Sequence, residues 1–257
     1  MFQLYIAIMN KLDFIKMNGL GNDFVILDGR DTPTMPDLNQ MRAMADRKLG
    51  IGCDQIIWLE PADERANIKI RIFNSDGGEI SACGNGARCV AYLLGKNLNT
   101  KKIKLKTRNR ILNARLVKDF HVMLEMGKPL LSFENIPLSK SMNPSNVILK
   151  INSKTYEDGF CVNVGNPHII FFVDDCFKHD LKVIGPKIEN HDLFPEKINV
   201  TFAQVIDKNN IIVNVWERGA GLTKACGTAA CATAFAAFKN KLVFNEVNIK
   251  FKEGFLN

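Results

Sequence analysis

The sequence predicts an α+β protein of two related halves, each a strand-rich sheet wrapped round one short buried helix. Three observations carry this expectation. Alternating or β-branched runs outnumber helical ones along the whole chain. Two segments, 87–94 and 229–238, are apolar or small almost all round, which marks enclosed helices. At about ten residues each they fall well short of the roughly 18 a bilayer crossing needs, so sheet must surround them. Finally, two motifs recur in register: Gly21-Asn22 returns as Gly165-Asn166, 144 residues on, and Ala82-Cys83-Gly84 returns as Ala225-Cys226-Gly227, 143 residues on. Each Cys-Gly opens one of the two buried segments. Two motifs repeated in one order and spacing point to duplication of an ancestral half.

Element by element, strands are expected at 14–17, 24–27, 56–59, 68–73, 103–107, 111–117 and 122–126, then at 147–151, 160–164, 168–173, 199–206, 211–216 and 247–251. Helices are expected at 37–48, opening after Pro36 and closing at Gly50, and at 86–94, 181–190 and 228–239. Pro129, Pro137 and Pro144 stand among polar residues in 127–144, which reads as a hinge. The expected halves are therefore 12–126 and 127–257.

Composition narrows the function. With 257 residues, 46% hydrophobic and 24% charged, the chain can bury a full core, which argues against disorder, collagen and a small disulfide scaffold. The longest apolar runs, such as 4–9 and 169–173, are too short to span a membrane. The first residues lack a basic leader region and a cleavage site, so no signal peptide is expected, and Met9 is an alternative start. Seven cysteines, an odd number with no CxxC pair and with Cys89, Cys161 and Cys231 in apolar segments, fit reduced thiols in the cytoplasm. The net charge of +7 gathers most visibly at Lys101, Lys102, Lys104, Lys106, Arg108 and Arg110. Ile103, Leu105 and Thr107 alternate with them, as on a strand with one solvated face, so no nucleic-acid partner is expected. Without a metal-ligand motif, a phosphate-binding loop or a complete GxGxxG, neither a metal nor a nucleotide cofactor is expected.

The chemistry lies in the paired Cys-Gly motifs. A cysteine just before a helix sits among unsatisfied N–H groups at the positive end of the helix dipole, which favours thiolate. Cys83 and Cys226 are therefore the two cysteines expected to ionise near neutrality. The amides of Gly84, Asn85, Gly227 and Thr228 form ready sites for a carboxylate. Were the halves to face each other across a cleft, one thiolate could remove the α-proton of an amino acid while the opposite thiol delivered another, inverting the centre without a cofactor. A small buried residue at a tight turn is the plain alternative for either cysteine alone; repetition in register weighs against it.

At these residues the sequence resembles diaminopimelate epimerase. The match includes Lys16-Met17-Asn18-Gly19-Leu20-Gly21-Asn22-Asp23-Phe24, Gly52-Cys53-Asp54-Gln55, and Asn74-Ser75-Asp76-Gly77-Gly78 leading to Cys83-Gly84-Asn85-Gly86-Ala87-Arg88-Cys89. It continues with Gly165-Asn166-Pro167-His168 and with Glu217-Arg218-Gly219-Ala220-Gly221 leading to Ala225-Cys226-Gly227-Thr228. The resemblance implies cofactor-independent conversion of LL- to meso-diaminopimelate for lysine and peptidoglycan synthesis. Cys83 and Cys226 would be the acid/base pair, with Gly84, Asn85, Gly227 and Thr228 holding the reacting carboxylate. Asn22, Gln55, Asn74, Asn166, Asn199, Glu217 and Arg218 would bind substrate. Arg218 suits the distal carboxylate, while asparagine carbonyls and Glu217 suit the distal ammonium. His168 and Glu217 would help move protons. Asp23, Asp54 and Asp76 read instead as turn residues bonded to local backbone.

The implied fold is two similar α+β domains, each an antiparallel-rich sheet curled round a central helix, with the site in the cleft between them; a homodimer is left open. The chain departs from the family at Ala229, often Gly there, and at Gly78, often Ser. Family chains also continue past the equivalent of Gly254 through a strand pair returning to the first domain, whereas this one stops at Asn257, from which an uncovered edge and lower stability are expected. The rival reading is a related cofactor-independent racemase acting on proline or hydroxyproline. The polar set Asn74, Asn166, Asn199 and Arg218 argues against so small and apolar a substrate.

Overall fold

A computed structural model describes residues 12–31, 34–80 and 83–257. Ala82 of the repeated motif, the apolar run 4–9 and Met9 lie outside the described residues. The chain divides into two compact units, residues 12–19 with 23–123 and residues 20–22 with 124–257.

In the first unit the order is β1 (Phe14–Gly19), β2 (Asn22–Asp28), α1 (Leu38–Ala45), β3 (Gln55–Glu60), β4 (Ile68–Asn74), β5 (Glu79–Ile80), α2 (Gly84–Asn97), β6 (Lys102–Lys106), β7 (Ile111–Lys118) and β8 (His121–Leu124). The sheet runs β1-β2-β3-β4-β6-β7-β8, with β5 on β4. In the second, β9 (Val147–Ile151), β10 (Lys154–Asn163), β11 (Pro167–Phe172), α3 (Leu181–Glu189), β12 (Asn199–Asp207), β13 (Asn210–Glu217), β14 (Gly221–Leu222), α4 (Gly227–Lys239), β15 (Asn248–Phe251) and β16 (Gly254–Leu256) give the order β16-β15-β13-β12-β11-β10-β9, with β14 on β13.

The units repeat one connectivity. β2 and β3 pair in parallel, β3 and β4 antiparallel, β4 and β6 in parallel, β6 and β7 antiparallel. β11, β12, β13, β15 and β16 follow the same series. Parallel neighbours cannot be joined by a tight turn, so each parallel step is bridged by a helix: α1 and α2 in one unit, α3 and α4 in the other. Antiparallel pairs still outnumber parallel ones, as the family resemblance implies. Each sheet curls round its second helix. The strands packed on α2 include β1 as well as β6 and β7, and α4 meets β10, β11, β12 and β15.

Alternation explains the burial. In the second unit Phe160, Val162 and Ile170 point to the face covered by α4, while Cys161, Ile169, Phe171 and Phe202 point to the face covered by α3. A sheet covered on both faces reads as continuous apolar sequence, which is why these runs lack polar punctuation. Each buried helix approaches its own sheet closely because its residues are small. A Cβ at Gly86 of α2 would lie 2.8 Å from Ile57 Cδ1, and at Gly95 it would lie 2.6 Å from Leu116 Cδ2. Four alanines of α4, Ala229, Ala232, Ala236 and Ala237, have no exposed surface, and alanine carries the highest helix propensity.

All four expected helices and all thirteen expected strands are present, with ends shifted by a few residues. The short strands β5, β14 and β16 and the first half of β10 were not expected. They have too few residues for an alternating pattern and exist through pairing with neighbours. The basic segment is a strand with Ile103 and Leu105 buried and Lys102 and Lys104 exposed, as expected. The hinge reading of 127–144 needs correction. Ile136 and Leu138 are buried in the second unit's core, and Leu130 exchanges two backbone hydrogen bonds with Asn163, so the prolines shape a packed covering segment. Among the described residues no helix is long and apolar enough to cross a membrane.

Candidate active site

Both repeated cysteines cap helices. Cys83 precedes α2 with φ −143° and ψ 112°, and its Sγ accepts from Gly86 N at 3.5 Å. Cys226 precedes α4 with φ −138° and ψ 117°, and its Sγ accepts from Ala229 N at 3.4 Å. The extended backbone is that of any N-cap, with sulfur in place of the usual oxygen. Each sulfur therefore lies at the positive end of its helix, beside first-turn amides that the helix itself does not use, including those of Gly84, Gly227 and Thr228.

Their surroundings differ. Cys83 is half-buried, whereas Cys226 is buried with Thr228 Oγ1 3.3 Å from its sulfur. Burial pushes the Cys226 thiol well above its ordinary range, and the neighbouring Glu217 charge adds to the rise. The expectation that Cys226 ionises near neutrality is thereby corrected. Desolvation of the thiolate outweighs the helix end, and Cys226 is a thiol in this state. Among the cysteines outside the paired motifs, burial also raises Cys53, Cys89 and Cys176 to about 11.

The polar candidates occupy equivalent places in the two sheets. In the first unit Gln55 begins β3 and pairs across the ladder with Asn74, the last residue of β4. Gln55 Nε2 donates to Asn74 Oδ1 at 3.0 Å, while Gln55 Oε1 is buried with no protein partner. In the second, Asn199 begins β12 and Glu217 ends β13. Asn199 is 2% exposed, accepts from Arg218 N at 2.9 Å and donates to Pro167 O at 2.7 Å. Asn22 and Asn166 stand at the start of β2 and just before β11. Because β2 and β3 run parallel and β4 returns, the starts of the first two, the end of the third and the start of α2 share one end of the sheet; β11, β12, β13 and α4 repeat this. Asn85, in the first turn of α2, is buried and accepts from Arg88 Nη2.

His168 is fully buried on β11, two residues past Asn166. Its Nε2–H donates to Asn166 Oδ1 at 3.0 Å, and Nδ1 is left without a protein partner. Burial, reinforced by Arg218, pulls its pKa down to about 3, so the ring is neutral near pH 7. Burial likewise raises the Glu217 carboxyl, although the adjacent Cys226 thiol opposes the rise. Arg218 Nη1 donates to Glu196 O at 2.8 Å, which orients the guanidinium.

Asp76 has the local backbone role expected of it, whereas Asp23 and Asp54 bond each other's backbone across 31 residues. Asp23 N donates to Asp54 Oδ2 and Asp54 N to Asp23 Oδ1, both at 3.0 Å, and Asp76 Oδ1 accepts from Gly78 N. Sequence reasoning missed what holds this pair. Arg47 bonds both carboxylates, at 2.6 and 2.7 Å, and keeps Asp23 ionised well below the usual carboxylate range. Lys16 Nζ donates to the carbonyls of Ile51 and Gly52, just ahead of Gln55. Lys16 lies inside a motif; Arg47 gave no signal, since an arginine in the last turn of the helix expected at 37–48 looks like any solvated charge. Among the described residues no group of three His, Cys, Asp or Glu is arranged to hold a metal.

This arrangement has relatives. The family model described as Diaminopimelate epimerase matches residues 14–131 and 160–257. The chain belongs to the diaminopimelate epimerase family. It is 51% identical over 244 residues to the diaminopimelate epimerase of Pelagibacter ubique, covering 94% of this chain and 88% of that protein. To that of Sphingopyxis alaskensis it is 44% identical, covering 94% and 87%. The chain is thus an enzyme of the isomerase class. Solved structures share the two-domain fold at much lower identity. They include a hydroxyproline epimerase from Agrobacterium vitis (14% identical, TM-score 0.62, covering 93% of this chain and 80% of that one). A PhzF-family phenazine biosynthesis protein from Enterococcus faecalis is another (13%, TM-score 0.65, 95% and 90%).

Proposed function

We propose that the chain interconverts LL- and meso-diaminopimelate by a two-base mechanism, with Cys83 and Cys226 as the acid/base pair. The observation that carries this reading is the recurrence of one cap geometry at two helix starts, each presenting a sulfur beside first-turn amides. A thiolate removes the α-proton, the electron pair left behind spreads into the carboxylate, and the opposite thiol delivers a proton to the other face. The two sulfurs exchange protonation states, so one proton leaves and one arrives. Helix-start amides of Gly84, Asn85, Gly227 and Thr228 stabilise the charge developing on the carboxylate. Such a reaction requires one sulfur on each face of the α-carbon.

Cys226, held as a thiol by burial, suits the donor role in the resting enzyme, with Glu217 beside it to take or return the proton. His168 offers an unprotonated Nδ1 as a second relay. Asn22, Gln55, Asn74, Asn166, Asn199 and Arg218 are assigned to the substrate's polar groups, the guanidinium to its distal carboxylate. That polar set favours diaminopimelate over proline or hydroxyproline. The product serves lysine and peptidoglycan synthesis, and reduced thiols suit the cytoplasm.

The test is proton exchange at the reacting carbon. In D2O, with chelator present and no cofactor added, LL-diaminopimelate is expected to gain one deuterium at the α-carbon as meso product forms, read by mass spectrometry and NMR. Product without deuterium, or no product, rejects the mechanism.

A further inference from the structure

In each unit, the helix between the parallel strands reaches the turn that carries the candidate site. Glu189 ends α3 and is 5% exposed. Its Oε2 accepts from Trp216 Nε1 at 2.7 Å and its Oε1 from Gly219 N at 3.0 Å. Lys197 Nζ stands 4.0 Å away. A carboxylate is costly to bury unless hydrogen-bonded or paired, and here one oxygen is spent on the Trp216 indole of β13 and the other on the turn between β13 and β14. The β13–β14 pairs Trp216–Leu222 and Glu217–Gly221 hold the ends of that turn, but packing leaves its tip open. Gly219 has φ +75°, and a Cβ there would meet nothing within 4 Å. Its shape comes from three successive amides: Arg218 N to Asn199 Oδ1, Gly219 N to Glu189 Oε1, and Ala220 N to Glu217 O.

The first unit repeats the device with opposite polarity. Arg42 of α1 donates from Nε to Asp76 O at 2.7 Å, in the turn between β4 and β5. Asp76 stands 143 residues before Gly219, the spacing that separates Cys83 from Cys226. The turn end of the tether keeps the repeat spacing, while the helix end is an arginine within α1 in one unit and a glutamate at the end of α3, 147 residues on, in the other.

We propose that Glu189 is a positioning residue for the reaction: by holding Trp216 and Gly219 it sets the conformation of turn 217–221, and with it the direction of Glu217 and Arg218. This inference rests on the substrate-binding role proposed for Glu217 and Arg218. Glu189 acts through the turn and touches neither reacting atom nor substrate.

The experiment uses the full chain with Glu189→Gln. Glutamine keeps the size but offers one acceptor for two N–H donors. KM for diaminopimelate is expected to rise about tenfold, the effect of one unsatisfied donor, with kcat falling less. One of the two tryptophan indole N–H resonances is expected to move as Trp216 loses its charged acceptor. An unchanged KM alongside a shifted indole resonance overturns the proposal, because the bond is then broken without consequence. Should the variant fail to fold by circular dichroism, Glu189→Asp, which keeps the charge and shortens the reach, is read by the same criteria. Failure of both to fold makes Glu189 a folding residue and overturns the proposal too. Arg218→Ala separates the two levels. A raised KM there with unchanged KM in the Glu189 variants sinks only the positioning role. An unchanged KM in Arg218→Ala sinks the substrate-binding reading beneath it.

Discussion

The two helix starts differ by only 5° in φ and in ψ at the capping cysteine, yet their sulfurs live in different electrostatic worlds. Cys226 is buried beside Glu217, which raises its pKa along with the desolvation of its own thiolate. At the strand position equivalent to Glu217 the first unit has Asn74, which carries no charge and is bonded to Gln55. Duplication kept the backbone frame, because strand order and cap geometry are properties of the whole sheet. The side chains round each sulfur were free to diverge, so one sulfur is buried and the other half-buried. A neutral ring enters the second unit in the same way: His168 occupies the place of Phe24, two residues past the repeated Gly-Asn pair.

The largest test of this comparison is removal of either sulfur. Cys83→Ala and Cys226→Ala are each expected to lower epimerisation by at least about 10²–10⁴-fold, the usual worth of a general acid or base, while leaving the circular dichroism spectrum intact. Retention of most activity in one variant alone would mean that the matching caps do not have matching roles.

Next in size is acid sensitivity. His168 has its folded pKa depressed to about 3, against an unfolded value near 6.5. Its contribution to stability is therefore complete above about pH 6.5 and is lost as pH falls toward 3, on the order of a few kcal/mol. Glu217, raised by burial, acts in the opposite sense, since folding favours its protonated form. Urea midpoints measured from pH 7 to 4 are expected to fall in the wild type and to fall less steeply in His168→Gln. Parallel curves would remove the buried imidazole as a cause.

The smallest effect is expected at Arg42→Ala. The Arg42 tether is exposed and ends on a carbonyl that water can also satisfy, so KM should rise only about two- to threefold, less than in Glu189→Gln. Equal effects would mean that burial does not set the strength of the two tethers.

Legibility in the sequence followed length and periodicity. Strands such as β12 and β13 have enough residues for the two-residue alternation to declare itself, and α4 is recognisable by its alanines. The strands β5, β14 and β16 have two or three residues each, too few for alternation to show, and exist by folding back on the strand just before them. The segment 127–144 misled for a related reason: prolines announce a break in regular structure but not whether the irregular chain is packed, and Ile136 and Leu138 pack. Among the candidate site residues, the cysteines and Asn22, Gln55, Asn74, Asn166 and Arg218 stand in motifs, whereas Asn199 was given only by the family resemblance. Glu189, Arg42 and Arg47 were not legible, because a charged side chain near a helix end looks solvated until its partner is known.

By itself the sequence determined the duplication, the α+β class, the two capping cysteines and the family, since each rests on local pattern or on motifs in fixed register. Only the tertiary structure decided that Cys226 rests as a thiol, that His168 is neutral, and which charged residues brace the turns. The physical reason is that protonation and hydrogen-bond partnership depend on how much water reaches a group and which distant atoms surround it. Neither quantity is written in the order of neighbouring residues.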